Sequence, residues 1–134
     1  MSKIHSVLLT SWLLLLLMTA CKDDKLDAPG GGEAQLIVTT DAPALSMETG
    51  PTADFNLIVQ SQMPPSGVWI RVEIRGELDN VGYFFSPQIE SVSSTTHIVV
   101  GNLPKQKICI CTVRVTSKTR AANTATTSFR IVYK

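Results

Sequence analysis

The chain has 134 residues, of which 44% are apolar, 6% aromatic and 17% charged. This length suits a single domain, and the apolar fraction is too high for a disordered protein. If the first 20 residues are a leader that is cleaved off, 114 residues remain. That length fits a β-sandwich of about 100 residues and excludes a TIM barrel or a two-domain enzyme.

The first 20 residues have the pattern of a secretory signal helix. Lys3 supplies a positive charge, and an apolar run with only two polar interruptions extends from Val7 to Met18. A membrane-spanning helix needs roughly 20 apolar residues, so this run is too short to cross a bilayer comfortably. The pattern therefore predicts a signal peptide over residues 1–20.

The end of this leader, Met18-Thr19-Ala20-Cys21, resembles the lipobox of bacterial lipoproteins. The resemblance implies cleavage between Ala20 and Cys21, a diacylglyceryl group on the Cys21 thiol and a further acyl chain on its new amino group. Two or three acyl chains anchor a protein durably, whereas one is marginal. We predict no cofactor besides this covalent lipid. The alternative is an ordinary secretory signal in which Cys21 occurs by chance.

The residues after Cys21 indicate a location and a tether. Lys22, Asp23 and Asp24 resemble the acidic export tag of surface lipoproteins of Bacteroidota. This implies a lipid anchor in the outer membrane, with the protein at the cell surface; a polar linker at the periplasmic face is the alternative. Residues 21–32 end in three glycines and predict a flexible linker, whose typical span is about 18 Å.

Residues 33–134 are predicted to form one all-β domain. In the clearest segment, apolar residues from Val68 to Ile74 alternate with polar ones, and no segment has a sustained period of 3.6 residues. These patterns predict an antiparallel β-sandwich of about seven strands. The predicted strands are 34–40, 55–60, 68–75, 83–85, 97–100, 108–116 and 126–133.

The closing part of the domain has a recognisable order of residue classes. An Ile-Val-Val-Gly-Asn-Leu-Pro turn at 98–104 precedes a long strand that ends in Val-Arg-Val-Thr-Ser, and a Thr-rich turn leads to a last Phe-Arg-Ile-Val-Tyr strand at 129–133. This order resembles the second half of fibronectin type III and related immunoglobulin-like modules. The resemblance implies an immunoglobulin-like sandwich.

Trp69 and Arg71 form a candidate binding face. They alternate with Val68 and Ile70, so they point away from the core if the apolar row fills it. An exposed Trp beside an Arg is typical of sites that bind a sugar ring or a protein. In the alternative interpretation, Trp69 packs over the methylenes of Arg71 or under a loop.

Charge is distributed unevenly along the chain. Residues 22–90 carry 11 acids and 4 bases, a net charge of −7, whereas residues 91–134 carry 7 bases and no acid. A sandwich places the last two strands side by side, so a basic patch is predicted from Arg114, Lys118, Arg120 and Arg130. Such a patch favours an acidic polymer, anionic head groups or an acidic protein. The alternative is that the two halves interleave and neutralise each other.

Cys109 and Cys111 lie two residues apart on a strand, so their side chains share one face. Their Cα atoms are predicted to lie about 6.6 Å apart with parallel Cβ vectors, which disfavours a disulfide. They continue the apolar row of Val113 and Val115, so we predict small core residues.

A few other side chains have metal-binding or acid–base chemistry. His97 opens a predicted strand and is interpreted as a polar rim residue. Glu73, Glu77 and Asp79 lie near one loop, but they lack the alternating Asp/Asn and Gly spacing of a calcium loop. We therefore predict no metal site.

The sequence has no Ser/His/Asp pattern, phosphate loop or activated nucleophile, so we predict no catalytic residues. The leading hypothesis is a non-enzymatic, lipid-anchored interaction or structural module of the cell envelope, with a protein or glycan as partner. The alternative is a carbohydrate-binding component of a surface glycan uptake system that uses Trp69. Nucleic acid is a poor candidate for an exported, lipid-anchored protein, so we predict no nucleic-acid partner, and the sequence does not indicate an oligomeric state.

Overall fold

The computed structural model describes residues 32–134. The predicted signal peptide, the lipidation site at Cys21 and the export tag lie outside the described residues. Within residues 32–134 the chain forms nine strands and no helix. Their bounds are β1 (Val38–Thr40), β2 (Leu45–Glu48), β3 (Ala53–Val59), β4 (Val68–Gly76), β5 (Gly82–Phe85), β6 (Ile89–Ser91), β7 (Thr95–Val100), β8 (Ile108–Ser117) and β9 (Thr124–Tyr133).

The described residues contain no helix that is long and apolar enough to cross a membrane.

The strands form two sheets. One has the order β1-β3-β7, and the other has the order β2-β9-β8-β4-β5, with β6 also paired to β4. Buried residues of both sheets form one core cluster between them. The predicted all-β sandwich is therefore confirmed.

The structure differs from the predicted sandwich in two details. The described residues form nine strands where about seven were predicted, because the short strands β2 and β6 have too few residues to show a clear period. The sandwich is also not purely antiparallel, since β2 runs parallel to β9. Pro43 interrupts the run of residues after β1, and the chain then joins the other sheet as β2.

The core lies between the two sheets and consists of the alternate residues of each long strand. Phe55 of β3 and Phe129 of β9 meet edge to face across it, with ring centroids 5.0 Å apart and planes at 78°. The largest fully buried side chains are Leu57, Ile70, Ile74, Ile98, Ile131, Val68, Val72, Val100, Val113, Val115, Cys109 and Cys111. Because β4 and β8 bury every second residue, their other side chains are left on the outer face of the six-stranded sheet.

Cys109 and Cys111 are free and fully buried. Burial raises the pKa of both thiols, that of Cys111 to about 12. Both thiols therefore stay protonated near neutral pH and pack as small apolar groups. The prediction that these cysteines are core residues is confirmed.

Asn123, in the turn between β8 and β9, fixes the start of the domain. Its Oδ1 accepts a hydrogen bond from the Leu36 amide at 2.8 Å. Its Nδ2 donates to Glu33 Oε1 at 2.6 Å and to the Ala34 carbonyl at 2.9 Å. The chain therefore enters the domain at the β8–β9 turn, at the end of the six-stranded sheet that also holds Trp69.

Candidate functional site

The outer face of the six-stranded sheet has three adjoining rows of side chains that run across its central strands. The register gives their members as Trp69, Thr116 and Thr124; Arg71, Arg114 and Thr126; and Glu73, Thr112 and Ser128. Each row takes one residue from β4, one from β8 and one from β9. The site therefore has a floor of paired strands, which hold these side chains at fixed spacings.

Two adjoining depressions lie over these rows. The larger, of about 740 Å³, is bounded at the sheet edge by Phe85, which is 59% exposed. The smaller, of about 350 Å³, contains Trp69 and reaches the β8–β9 turn. Both are lined by Arg71, Gln88 and Arg114. We call the two depressions together the outer groove, and these three shared residues lie at its middle.

Local turns set the start of β4 and thus the place of Trp69. The Gly67 amide donates to the Pro64 carbonyl at 2.9 Å, and Gly67 has a φ of 82°, which favours glycine. A Cβ at this position would also lie 2.5 Å from the Ser91 carbonyl oxygen of β6. The turn therefore brings β6 against the start of β4, where Glu90 pairs with Trp69.

Arg71 and Arg114 lie directly opposite each other on β4 and β8. Side chains in such a pair have Cβ atoms about 5 Å apart. Arg71 Nη2 donates to Gln88 Oε1 at 3.1 Å, which orients this guanidinium. Within residues 32–134, Arg114 forms no ion pair and no side-chain hydrogen bond. The structure thus brings one residue of the predicted binding face together with one of the predicted basic patch.

Trp69 is half-buried, and its packing partner is Lys118. The Lys118 ammonium lies 4.5 Å from the Trp69 ring centroid, in cation–π geometry. Lys118 Nζ also donates to Glu90 Oε1 at 2.7 Å. The ring is therefore not simply open to solvent, and because Lys118 belongs to the β8–β9 turn, the alternative of a ring packed under a loop partly applies. One of its faces is covered by a cation that an acid holds in place.

The remaining members of the predicted basic patch are separated from the Arg71–Arg114 pair. Arg130 lies on the outer face further along β9, where its Nε donates to Glu77 Oε1 at 2.7 Å. Arg120 is exposed in the β8–β9 turn. Glu77 and Glu90 come from the acidic half of the chain, so the two halves partly interleave, as the alternative interpretation held. Acids of the first half thus pair with Lys118 and Arg130, whereas no described acid pairs with Arg114.

The acids near the β4–β5 loop also have basic partners. Lys107 Nζ donates to Asp79 Oδ2 at 2.6 Å and to the Tyr83 hydroxyl at 2.7 Å. The bond from Lys107 lowers the pKa of Asp79, and the bond to Asp79 raises the pKa of Lys107. Glu73 accepts a hydrogen bond from Arg75. No group of three or more metal-ligating side chains is found in the described part of the chain.

His97 is exposed on the other sheet, away from the outer groove. Its Nδ1 lies 3.3 Å from Asn56 Oδ1, and its Nε2 lies 3.8 Å from Asp54 Oδ2. Asn56 also donates to Asp41 Oδ2 at 2.7 Å, and bonds from Asn56 lower the pKa of Asp41. His97 is therefore a surface residue in a polar network.

Sequence reasoning missed several residues of the outer groove. A strand at 83–85 was predicted, but not that it flanks β4, which brings Phe85 into the groove; Gln88 precedes β6, which was not predicted. The threonines of β8 carried a usable signal, since they alternate with buried residues, whereas the residues on either side of Thr126 in β9 are only half-buried. The threonines in the groove are Thr112, Thr116, Thr124 and Thr126.

Comparison of the sequence with protein-family models and with curated proteins finds no match in either set.

Proposed function

We propose that this chain is a non-enzymatic binding module of the bacterial cell envelope, of the Bacteroidota lipoprotein type. In this proposal the Cys21 lipid anchors it in the outer membrane, the export tag Lys22-Asp23-Asp24 directs it to the cell surface, and the outer groove receives a protein or glycan. A role at the periplasmic face remains the alternative location.

The observation that carries the binding proposal is the outer groove itself. Arg71, Gln88 and Arg114 converge at its middle, and Trp69 and Phe85 lie toward its two ends. Arg and aromatic side chains are the residue types that contribute most at binding sites. Most of these side chains project from paired central strands, so they are held in place before a partner binds, which favours binding.

The entry point of the chain supports the anchoring proposal. Asn123 holds Glu33 and Leu36 at the β8–β9 turn, and only 11 residues separate Cys21 from Glu33. A tether of this length gives the domain a typical distance of about 18 Å from its anchor. A domain held this close can meet partners at the membrane surface and keep its orientational freedom.

Anchoring and location are tested in one experiment on cells that express the full chain. Labelled palmitate is expected in the parent protein and absent from a Cys21→Ser variant. Protease treatment of intact cells should then remove the domain while a periplasmic control survives. Failure to incorporate palmitate would overturn the lipoprotein proposal. Survival of the domain until the outer membrane is permeabilised would place it at the periplasmic face.

A second candidate function is a carbohydrate-binding component of a glycan uptake system. The position of the Trp69 ring in the smaller depression favours it, because indole rings stack on sugars. Lys118 provides a matched control, since Trp69→Ala and Lys118→Ala both remove the cation–π contact but only the first removes the ring. Loss of retention on immobilised oligosaccharides in Trp69→Ala alone is expected. Equal losses would assign Trp69 a packing role instead.

A further inference from the structure

The Arg71–Arg114 pair is the least expected feature of the outer groove. Like charges directly opposite each other on neighbouring strands destabilise a sheet. Arg71 and Arg114 form such a pair. Both are exposed, and both line the two depressions of the outer groove. Without an acid between them, the pair concentrates positive charge at one place on an otherwise polar floor.

The nearby acids are bonded to other cations. Glu73 lines the same groove, but its carboxylate accepts a hydrogen bond from Arg75. Glu90 holds Lys118. Among the described residues around Arg114, no acid is therefore free to pair with its guanidinium. An anionic ligand can fill that role.

We infer that Arg71 and Arg114 form an anion subsite that binds a carboxylate or sulfate group of an acidic glycan. The guanidinium fork matches both oxyanions, and hydrogen bonds between charged groups are stronger than neutral ones. Gln88 fixes the Arg71 fork at 3.1 Å, so part of the subsite is already ordered before the ligand binds. This inference rests on the proposed function, because it assigns a ligand class to the same groove.

The surroundings of the pair favour a glycan over an acidic peptide. Strands β4 and β8 are paired on both sides, so their backbones have few free groups to offer an extended peptide, and recognition depends on side chains. Thr112, Thr116 and Thr126 supply hydroxyl groups around the pair. Hydroxyls both donate and accept, as the hydroxyl groups of a sugar require.

The groove also has room for more than one sugar. Trp69 and Glu73, which pairs with Phe85, are four residues apart on β4, a separation of about 13 Å along the strand. The Arg71 row lies between them. A chain of sugars laid along β4 would thus place a charged unit over the arginines and neighbouring units toward the two rings.

Binding to matched pairs of polysaccharides tests this inference. Polygalacturonate is compared with its fully methyl-esterified form, and dextran sulfate with dextran, using the protein purified from cells that express the full chain. The variants are Arg71→Gln and Arg114→Gln. Arg120→Gln is the control, because it removes one exposed positive charge from the nearby β8–β9 turn.

We expect binding to at least one charged polymer, and no binding to its neutral counterpart. Each of the two groove variants should weaken that binding about tenfold, as expected for the loss of a charge-assisted hydrogen bond, while the control changes it less than twofold. Preference for polygalacturonate identifies a carboxylate ligand, and preference for dextran sulfate identifies a sulfate ligand.

Three results would overturn the inference. Binding of a neutral polymer that both arginine variants retain would place the ligand elsewhere but leave the proposed binding module standing. Equal weakening by the Arg120 control would show unspecific charge attraction. Binding to none of the four polymers, with or without binding to vesicles of anionic phospholipid assayed in parallel, would exclude the acidic glycan, whereas failure of palmitate labelling would count only against the proposed anchoring.

Discussion

The two faces of β4 have different roles: the inner face packs into the core, and the outer face lines the groove. On its inner face, Val68, Ile70, Val72 and Ile74 are at most 2% exposed and pack into the core. On its outer face, Trp69, Arg71 and Glu73 line the groove. Burial constrains the first set by volume, so many apolar combinations would give the same sandwich. The second set is free of that constraint and is where specific chemistry can be placed.

Neighbouring positions on the two faces should therefore differ most in their effect on stability. Ile70→Ala is expected to lower the free energy of unfolding by about 2–5 kcal/mol, because it leaves a cavity beneath the sheet. Arg71→Ala should change it by less than about 0.5 kcal/mol. Urea unfolding followed by Trp69 fluorescence measures both. Comparable losses in the two variants would break the distinction between the faces.

The inner face should also respond to alkaline pH through its buried thiols. Burial raises the pKa of the Cys111 thiol to about 12 in the folded protein. In the unfolded chain the same thiol has its ordinary pKa near 9. Ionisation then favours the unfolded chain, so the contribution of this thiol to stability is unchanged below pH 8 and falls between pH 9 and 12. The loss at pH 10 should be about 1 kcal/mol.

A Cys111→Val variant isolates this effect from other groups that titrate in the same range. The parent and the variant are unfolded in urea at pH 8 and at pH 10, and the difference between the two losses belongs to Cys111. We expect a smaller alkaline loss in the variant. An identical loss in both proteins would mean that the thiol does not resist ionisation in the folded state.

Sequence periodicity predicted the inner face well for a physical reason. Alternation is enforced wherever one face of a strand is buried, so the strands around Phe55, Val68, Ile108 and Thr126 and the core role of Cys109 and Cys111 were visible in the pattern. Short strands escape this rule. β2 and β6 are held by their pairing to β9 and β4, and pairing partners leave little trace in a local pattern.

The outer groove was predicted only in pieces. Trp69 and Arg71 were recognised as one face, and Arg114 as part of a basic patch, but their juxtaposition depends on the register between β4 and β8. The sequence likewise could not assign Glu90 to Lys118 or Glu77 to Arg130, because these ion pairs join residues 28 and 53 positions apart. Alternation shows which way a side chain points, whereas register decides what it faces.

The outer face should finally show a small effect of opposite sign. If Arg71 and Arg114 repel each other, Arg114→Thr will stabilise the protein by about 0.2–1 kcal/mol. The same substitution removes half of the proposed anion subsite, so stability and binding should change in opposite directions. Sites under functional constraint often show this exchange.

The salt dependence of this effect distinguishes two explanations for it: relief of the repulsion between Arg71 and Arg114, and the preference of threonine for strands. Screening weakens interactions between exposed charges, so the stabilisation by Arg114→Thr should shrink between about 0.01 M and 1 M salt. A benefit from threonine packing would persist at high salt, and the Arg120→Thr control in the turn should show neither effect. If Arg114→Thr instead destabilises the protein at low salt, Arg114 has a stabilising partner of its own. The pair would then hold no unmet positive charge, and the argument for an anionic ligand would lose its premise.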